Sequence, residues 1–293
     1  KTVIEEKLVI ITIDNPPINA LSPEVTKELD DTFKELNERN DVRAVILTGQ
    51  GRAFVAGANI RVFLEMDREK GEKYALAVTE MQQKIQEFNW PVIAAINGYA
   101  LGGGCEMALA CDIRIAGDNA RFGQPEVGLG VIPGFAGTQR LPRLIGKGHA
   151  CELLFSGDII DAAEAARIGL VNRVVPREQL MNSCRELAGR IAARGPVAVR
   201  LCKDAVNNGI EMDLGRACRY EADLFALCFT SPQQQEGMKA FVEKRPPRFV
   251  RMGEQERKLH QTAHAAAQEP ETAPFHGHDG QEPQPADGVH RPA

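Results

Sequence analysis

Apolar positions in the first half of the chain come as short runs separated by turn residues. Residues 3–13 have the pattern of a strand that stops at the turn Asp14-Asn15-Pro16-Pro17. Ser22-Pro23 then opens a helix. Ser22 is suited to cap it, Pro23 fits a first turn whose amide needs no partner, and Leu29, Phe33 and Leu36 form an apolar stripe at helical spacing. Residues 42–48 read as a buried strand closed by Gly49-Gln50-Gly51. A polar helix is expected over about 72–89, a strand over 91–97, a helix from 102 to 111 and a strand again over 113–116. This alternation predicts an α/β core with parallel pairing and helical crossovers.

From about residue 160 the pattern turns helical. Helices are expected at 161–167, 178–194, 197–208 and 213–229, with one strand signal at 171–175. Such a lobe packs either on the core or on a neighbouring subunit. From about 254 the pattern is lost. Residues 260–293 are rich in Ala, Gln, Pro, Gly and His, with one Phe and no Leu or Ile, a composition that cannot bury enough apolar surface to order itself. No internal repeat of about 20–50 residues is visible.

Composition narrows the function classes. At 293 residues and 43% apolar, the chain has ample material for a core, as one large domain or two modest ones. The net charge is -5, and residues 254–293 carry -4 of it, with seven acids against three bases. A nearly neutral body without a basic stripe makes nucleic acid an unexpected partner. No apolar run is long enough to span a membrane, and the first residues do not read as a signal peptide. The chain starts without Met, so an earlier targeting segment stays open. Seven scattered cysteines with no CxxC pair suit reduced thiols in a cytoplasmic setting.

Five of the six histidines (260, 264, 276, 278 and 290) fall in the tail, leaving only His149 in the body. A Ser-His or Cys-His machine would have to use His149, which reads as a surface or capping residue at a helix start. A two-histidine metal site in the body is excluded by count. The chemistry is therefore expected from carboxylates and backbone groups.

The most informative run is Asn97-Gly-Tyr-Ala-Leu-Gly-Gly-Gly-Cys-Glu106. Three successive glycines are costly in backbone entropy, so a plain strand–helix connection would not need them; a tight turn with no ligand is the other reading. They permit a tight turn and the close approach of a ligand. The helix start behind them offers unpaired amides and a positive dipole end, suited to a phosphate or a developing oxyanion. Glu106 lies in the first turn of that helix, where a carboxylate is also favoured by the dipole alone. Glu126 follows in Phe122-Gly-Gln-Pro-Glu126. If buried among its proline, glycine and apolar neighbours it would hold a proton near neutral pH; a surface loop glutamate is the other reading. Gly128-x-Gly130 lacks a glycine at 133, so the dinucleotide fingerprint fails, and no GxxxxGK[ST] occurs. A third stretch, Arg52 through Arg61, has small residues at 56–58 that can bring a second amide to a ligand oxygen.

These segments together resemble the crotonase (enoyl-CoA hydratase/isomerase) superfamily. Its AFxAGAD, NGxAxGGGxE and FGxPExxLGxxPGxGGTxRL motifs correspond to residues 53–59, 97–106 and 122–141. Residues 14–21, 156–158, 169–172 and 236–245 also match, so the likeness spans about residues 1–250. The resemblance implies an α/β spiral of ββα units (1–195), a helical trimerisation region (196–253) and an unrelated tail (254–293). It implies an enzyme of acyl-CoA metabolism that adds water to 2-enoyl-CoA, with Glu106 and Glu126 acting on one water. The backbone amides of Ala58 and Gly103 would grip the thioester oxygen, and losing one such donor typically lowers the rate ~10²–10³-fold. Ala56, Ala58, Asn59, Ile60, Arg61 and Gly103 would border the substrate, and Phe241 and Lys244 the adenine end, often from a neighbouring subunit. Coenzyme A arrives with the substrate, no separate cofactor or metal is implied, and a homotrimer or dimer of trimers is expected. Both glutamates together favour hydration over double-bond isomerisation, the alternative activity; a non-catalytic scaffold is the alternative from another class. Asn59 departs from the family's usual aspartate, which bears on neighbouring hydrogen bonds rather than on the amide donor.

Overall fold

The computed structural model describes residues 1–250, so the predicted unordered tail, 254–293, lies outside the described residues. The opening apolar stretch is a hairpin rather than one strand: β1 (Thr2–Glu5) and β2 (Leu8–Ile13) pair antiparallel, with Glu5 opposite Leu8. The turn is made at Glu6 with φ +54°, without the glycine or proline that would have marked it in the sequence. Helix α1 (Pro23–Asn37) starts where expected, with Ser22 Oγ accepting from the Val25 amide at 3.3 Å. Its buried face is Thr26, Leu29, Phe33 and Leu36.

The chain then winds through three similar turns. The first is β3 (Ala44–Gly49), β4 (Ala53–Ala56), the short α2 (Ile60–Phe63) and α3 (Arg68–Gln86). The second is β5 (Val92–Ile96), β6 (Tyr99–Leu101) and α4 (Gly103–Ala110). The third is β7 (Ile113–Gly117), β8 (Arg121–Gly123), a 3-10 turn at Pro125–Leu129, α5 (Gly137–Ile145) and α6 (Lys147–Ser156). After β9 (Ile159–Asp161), α7 (Ala162–Arg167), β10 (Arg173–Val175) and α8 (Leu180–Ala192), the chain continues as α9 (Pro196–Gly209), α10 (Leu214–Cys228) and α11 (Pro232–Val242).

From β3 to β8, consecutive strands alternate between two sheets. One runs β1-β2-β3-β5-β7-β10 and is parallel beyond its first pair; the other runs β4-β6-β8-β9 and is parallel up to β8. This is the α/β spiral of ββα units that the resemblance implied. The strands of the second sheet have only three or four residues, too few for apolar periodicity to register in the sequence. The three turns share a backbone path and not a sequence, so no repeat was visible.

Helix α4 is the element that places the chemistry. All eight of its residues are buried, so a helix that is otherwise apolar carries Glu106 into the core. Gly104 makes this possible: a Cβ there would sit 1.8 Å from the Val55 carbonyl oxygen, so α4 lies directly on the backbone of β4. Helix α9 packs on the core of its own chain. Lys203 Nζ donates to Asp112 at 2.8 Å and to the Trp90 carbonyl at 3.1 Å, and Asn207 donates to the Gln86 carbonyl at 2.9 Å. The outer surface of α10 and α11 is different: Leu214, Phe225, Phe229, Phe241 and Val242 are each more than half exposed. Among the described residues no helix is long and apolar enough to cross a membrane.

Candidate active site

The two expected amide donors leave the same sheet edge. In the parallel pair of β4 and β6, Ala56 lies opposite Leu101. Ala58 is two residues beyond the first and Gly103 two beyond the second, on strands about 4.8 Å apart. The Gly57 amide donates to the Leu101 carbonyl at 2.8 Å and holds the two segments together. Leu21 bridges on the other side: its amide donates to Gly57, and its carbonyl accepts from Asn59, both at 3.0 Å. Those bonds flank Ala58 and leave its own amide facing away from Leu21. Gly103 opens α4, where an amide has no acceptor within the helix and sits at the positive end of the dipole. The Phe135 ring and Leu21 Cδ1 lie 3.0 and 3.1 Å from the point a Cβ on Gly103 would occupy, so apolar walls confine that amide.

Glu106 is fully buried. Its Oε1 accepts from the amides of Phe135 at 2.8 Å and Gly137 at 2.7 Å. Its Oε2 is buried with no hydrogen-bond partner among the described residues. Burial pushes its pKa up to about 7, against the pull of the two amides; the Glu126 carboxylate adds to the rise. Glu126 is half-buried in the 3-10 turn after β8, and desolvation raises its pKa as well. At Gly102, φ is +52°, and a Cβ would come within 2.5 Å of Glu126 Oε1. The first of the three glycines therefore makes room for the second carboxyl.

One member of the site was missed from the sequence although it lay inside a quoted motif. Gln124 is fully buried, and its side-chain nitrogen, oriented toward Glu126, sits 3.2 Å from both carboxylate oxygens. The other end of the same amide lies 2.8 Å from where a Cβ on Gly137 would be, a point also 2.8 Å from Glu106 Oε1. Gln124 thus contacts Glu126 and lies near Glu106, which brings the two glutamates to one site. A glutamine next to a proline and a glutamate has no sequence signature for this; only burial reveals it.

The remaining candidates line the approach. Ala56 ends β4 half-buried, its amide donating to the Ile18 carbonyl at 3.0 Å. Asn59 caps α2, its Oδ1 accepting from the Arg61 amide at 3.2 Å, so the amide side chain serves where the family usually has aspartate. Ile60 and Arg61 are exposed, and Arg61 edges a cavity of about 530 Å³ lined also by Pro23, Val62, Glu65, Met66, Lys70 and Tyr74. Phe241 is 83% exposed at the end of α11, and Lys244 is exposed just beyond it. Cys105, beside Glu106, is buried with its thiol pKa pushed up to about 12, which keeps it protonated.

Comparisons with known proteins agree with this architecture. The family model described as enoyl-CoA hydratase/isomerase matches residues 3–252. A short-chain-enoyl-CoA hydratase of Clostridium acetobutylicum is 49% identical over 243 residues, covering 82% of this chain and 93% of that one. A crotonyl-CoA hydratase of Syntrophomonas wolfei is 48% identical over 248 residues, covering 84% and 95%. The crystal structure of an enoyl-CoA hydratase from Bacillus anthracis superposes with a TM-score of 0.83 at 41% identity, covering 85% of this chain and 98% of that one. The chain belongs to the enoyl-CoA hydratase/isomerase family.

Proposed function

We propose that this protein is an enoyl-CoA hydratase, catalysing the reversible syn addition of water to a 2-enoyl-CoA to give the 3-hydroxyacyl-CoA. The observation that carries the mechanism is the asymmetry of Glu106: Oε1 is saturated by two amides while Oε2 is buried without a partner. Oε2 takes a proton from the attacking water as its oxygen bonds to the β-carbon. Glu126, whose proton affinity burial raises, delivers the α-proton, and the roles reverse in dehydration. Two buried carboxyls that raise each other's proton affinity share a proton and titrate as a unit. The Ala58 and Gly103 amides bind the thioester oxygen and strengthen as it becomes enolate-like. The work is done by carboxylates and amides, and coenzyme A enters only as part of the substrate.

The relatives named for short-chain and crotonyl substrates support a short enoyl chain. Arg61 meets the coenzyme A phosphates, and Phe241 and Lys244 reach the adenine end from a neighbouring copy in a homotrimer or dimer of trimers. The exposed apolar side chains of α10 and α11 support that assembly. Seven free cysteines suit a cytoplasmic location. Crotonoyl-CoA is the test substrate: its conjugated enoyl-thioester absorbance falls on hydration. Persistent absorbance with pure, folded protein overturns the reading, and conversion of 3-enoyl- to 2-enoyl-CoA under those conditions turns it toward isomerisation.

A further inference from the structure

The turn that grips Glu106 is built on a strained residue. Ala136 has φ +72° and ψ +17°, the left-handed region, where a residue with a Cβ is disfavoured. This conformation turns the amides on either side, Phe135 and Gly137, toward one carboxylate oxygen, as in an anion-binding nest. Such strain persists where neighbours over-determine it.

Arg140 supplies that over-determination. Its amide donates to the Ala136 carbonyl at 2.8 Å, and its Nη1 donates to the Phe135 carbonyl at 3.3 Å. The rest of the guanidinium is fixed to α3. Nε donates to Gln86 Oε1 at 3.0 Å, Nη1 to Gln82 Oε1 at 3.1 Å and Nη2 to Gln83 Oε1 at 3.2 Å. These partners are neutral amides and carbonyls, so the positive charge is not cancelled by a bound carboxylate. The charged and titratable groups around Glu106 are few. Glu126 faces it from the 3-10 turn and raises its pKa, Arg140 from α5 lowers it, and the Cys105 thiol beside it stays protonated. Arg114 of β7 is engaged by the Leu170 and Cys111 carbonyls, and Gln124 and Gln82 are uncharged.

We propose that Arg140 is a positioning residue for Glu106: it clamps the 135–137 turn to α3, so that both amides stay on Oε1 and only Oε2 is presented to the water. The kinetic part of this proposal rests on the hydratase reading above.

Three variants test it in the full chain: Arg140→Gln, Arg140→Lys and Gln86→Ala, each checked for folding by circular dichroism and thermal melting. With crotonoyl-CoA, Arg140→Gln is expected to lower kcat about 10- to 100-fold, the effect of a misplaced reacting group, with KM little changed. The acid limb of its kcat/KM profile moves to higher pH, because the carboxylate loses its cation while Glu126 remains. Arg140→Lys keeps the charge without the fork, so the limb stays near its original position while kcat still falls. Gln86→Ala loosens the clamp from a point remote from the chemistry and lowers kcat less. Folded variants with unchanged kcat and an unmoved limb, or with the whole loss in KM, overturn the proposal. If Arg140→Gln fails to fold, Arg140→Lys and Gln86→Ala decide by the same criteria. Titration of the Glu106 carboxyl by ¹³C NMR without substrate gives a second readout, with an upward shift expected in Arg140→Gln. A wild type inactive toward crotonoyl-CoA strikes the hydratase reading alone, and the carboxyl titration then decides on Arg140.

Discussion

At the start of α4, each side chain or missing side chain is set by a neighbour within the same chain. Gly104 is held against the Val55 carbonyl, Gly102 against the Glu126 carboxyl, and Glu106 Oε1 against two amides. On the outer face of α10 and α11 the chain leaves Phe225, Phe229, Phe241 and Val242 in the open. The first region is complete in one copy. The second leaves large apolar side chains in solvent, a patch of the kind that often marks an interaction surface. The contrast separates the residues proposed for the reaction from those proposed for an assembly.

The largest effect belongs to the first region. Glu106→Gln keeps the shape and removes the base, and the rate of crotonoyl-CoA hydration is expected to fall by about 10²–10⁴-fold while the fold persists. A stopped-flow trace matching wild type would break the assignment of chemistry to α4. Next is Gly104→Ala, whose methyl group would have to displace the β4 backbone. Overpacking of this kind typically destabilises by about 1–3 kcal/mol, and contact with main chain rather than a flexible side chain puts this site at the upper end. A urea midpoint equal to wild type would show that α4 can lift away.

The pH dependence comes third. Glu106 must be unprotonated to act as base, and burial sets its pKa at about 7. The hydration rate should therefore fall about tenfold per pH unit below 7, seen in kcat/KM between pH 5 and 8. Stability carries its own sign. Between the ordinary value of 4.5 and about 7 the folded state keeps a proton that the unfolded chain has lost. Unfolding free energy from this group thus declines as pH rises through that window. A rate that climbs on acidification would contradict the burial argument.

The smallest effect belongs to the second region. Phe225→Ser on the exposed face should change the stability of a single chain by no more than about 0.5 kcal/mol, as at other surface sites. The same change should lower the assembly mass measured by light scattering. A large loss of single-chain stability with unchanged mass would mean that the face is covered from within its own chain.

Much of this was readable in advance, and the exceptions follow a rule. The Ser22-Pro23 helix start, the buried strand β3 and the helical character after residue 160 are written in patterns over a few consecutive residues, and they appear near their expected places. The hairpin at Glu6 lacked a turn residue, and β4, β6, β8 and β9 were too short to show a period. Gln124 and Arg140 stood inside quoted motifs without a role, since a glutamine or arginine takes its function from what surrounds it. An alanine in the left-handed region leaves no trace in sequence at all.

The amino-acid sequence alone determined the parts: an apolar helix behind three glycines, two glutamates in suitable settings, and a body with a single histidine that directs the chemistry to carboxylates. Only the tertiary structure decided that the glutamates share one site, that one oxygen of Glu106 is saturated while the other is bare, and that its proton is held until about pH 7. The reason is one of range. Helix starts and strand patterns are written by near neighbours, whereas the proton affinity of Glu106 is written by burial and by amides 29 and 31 residues further along the chain.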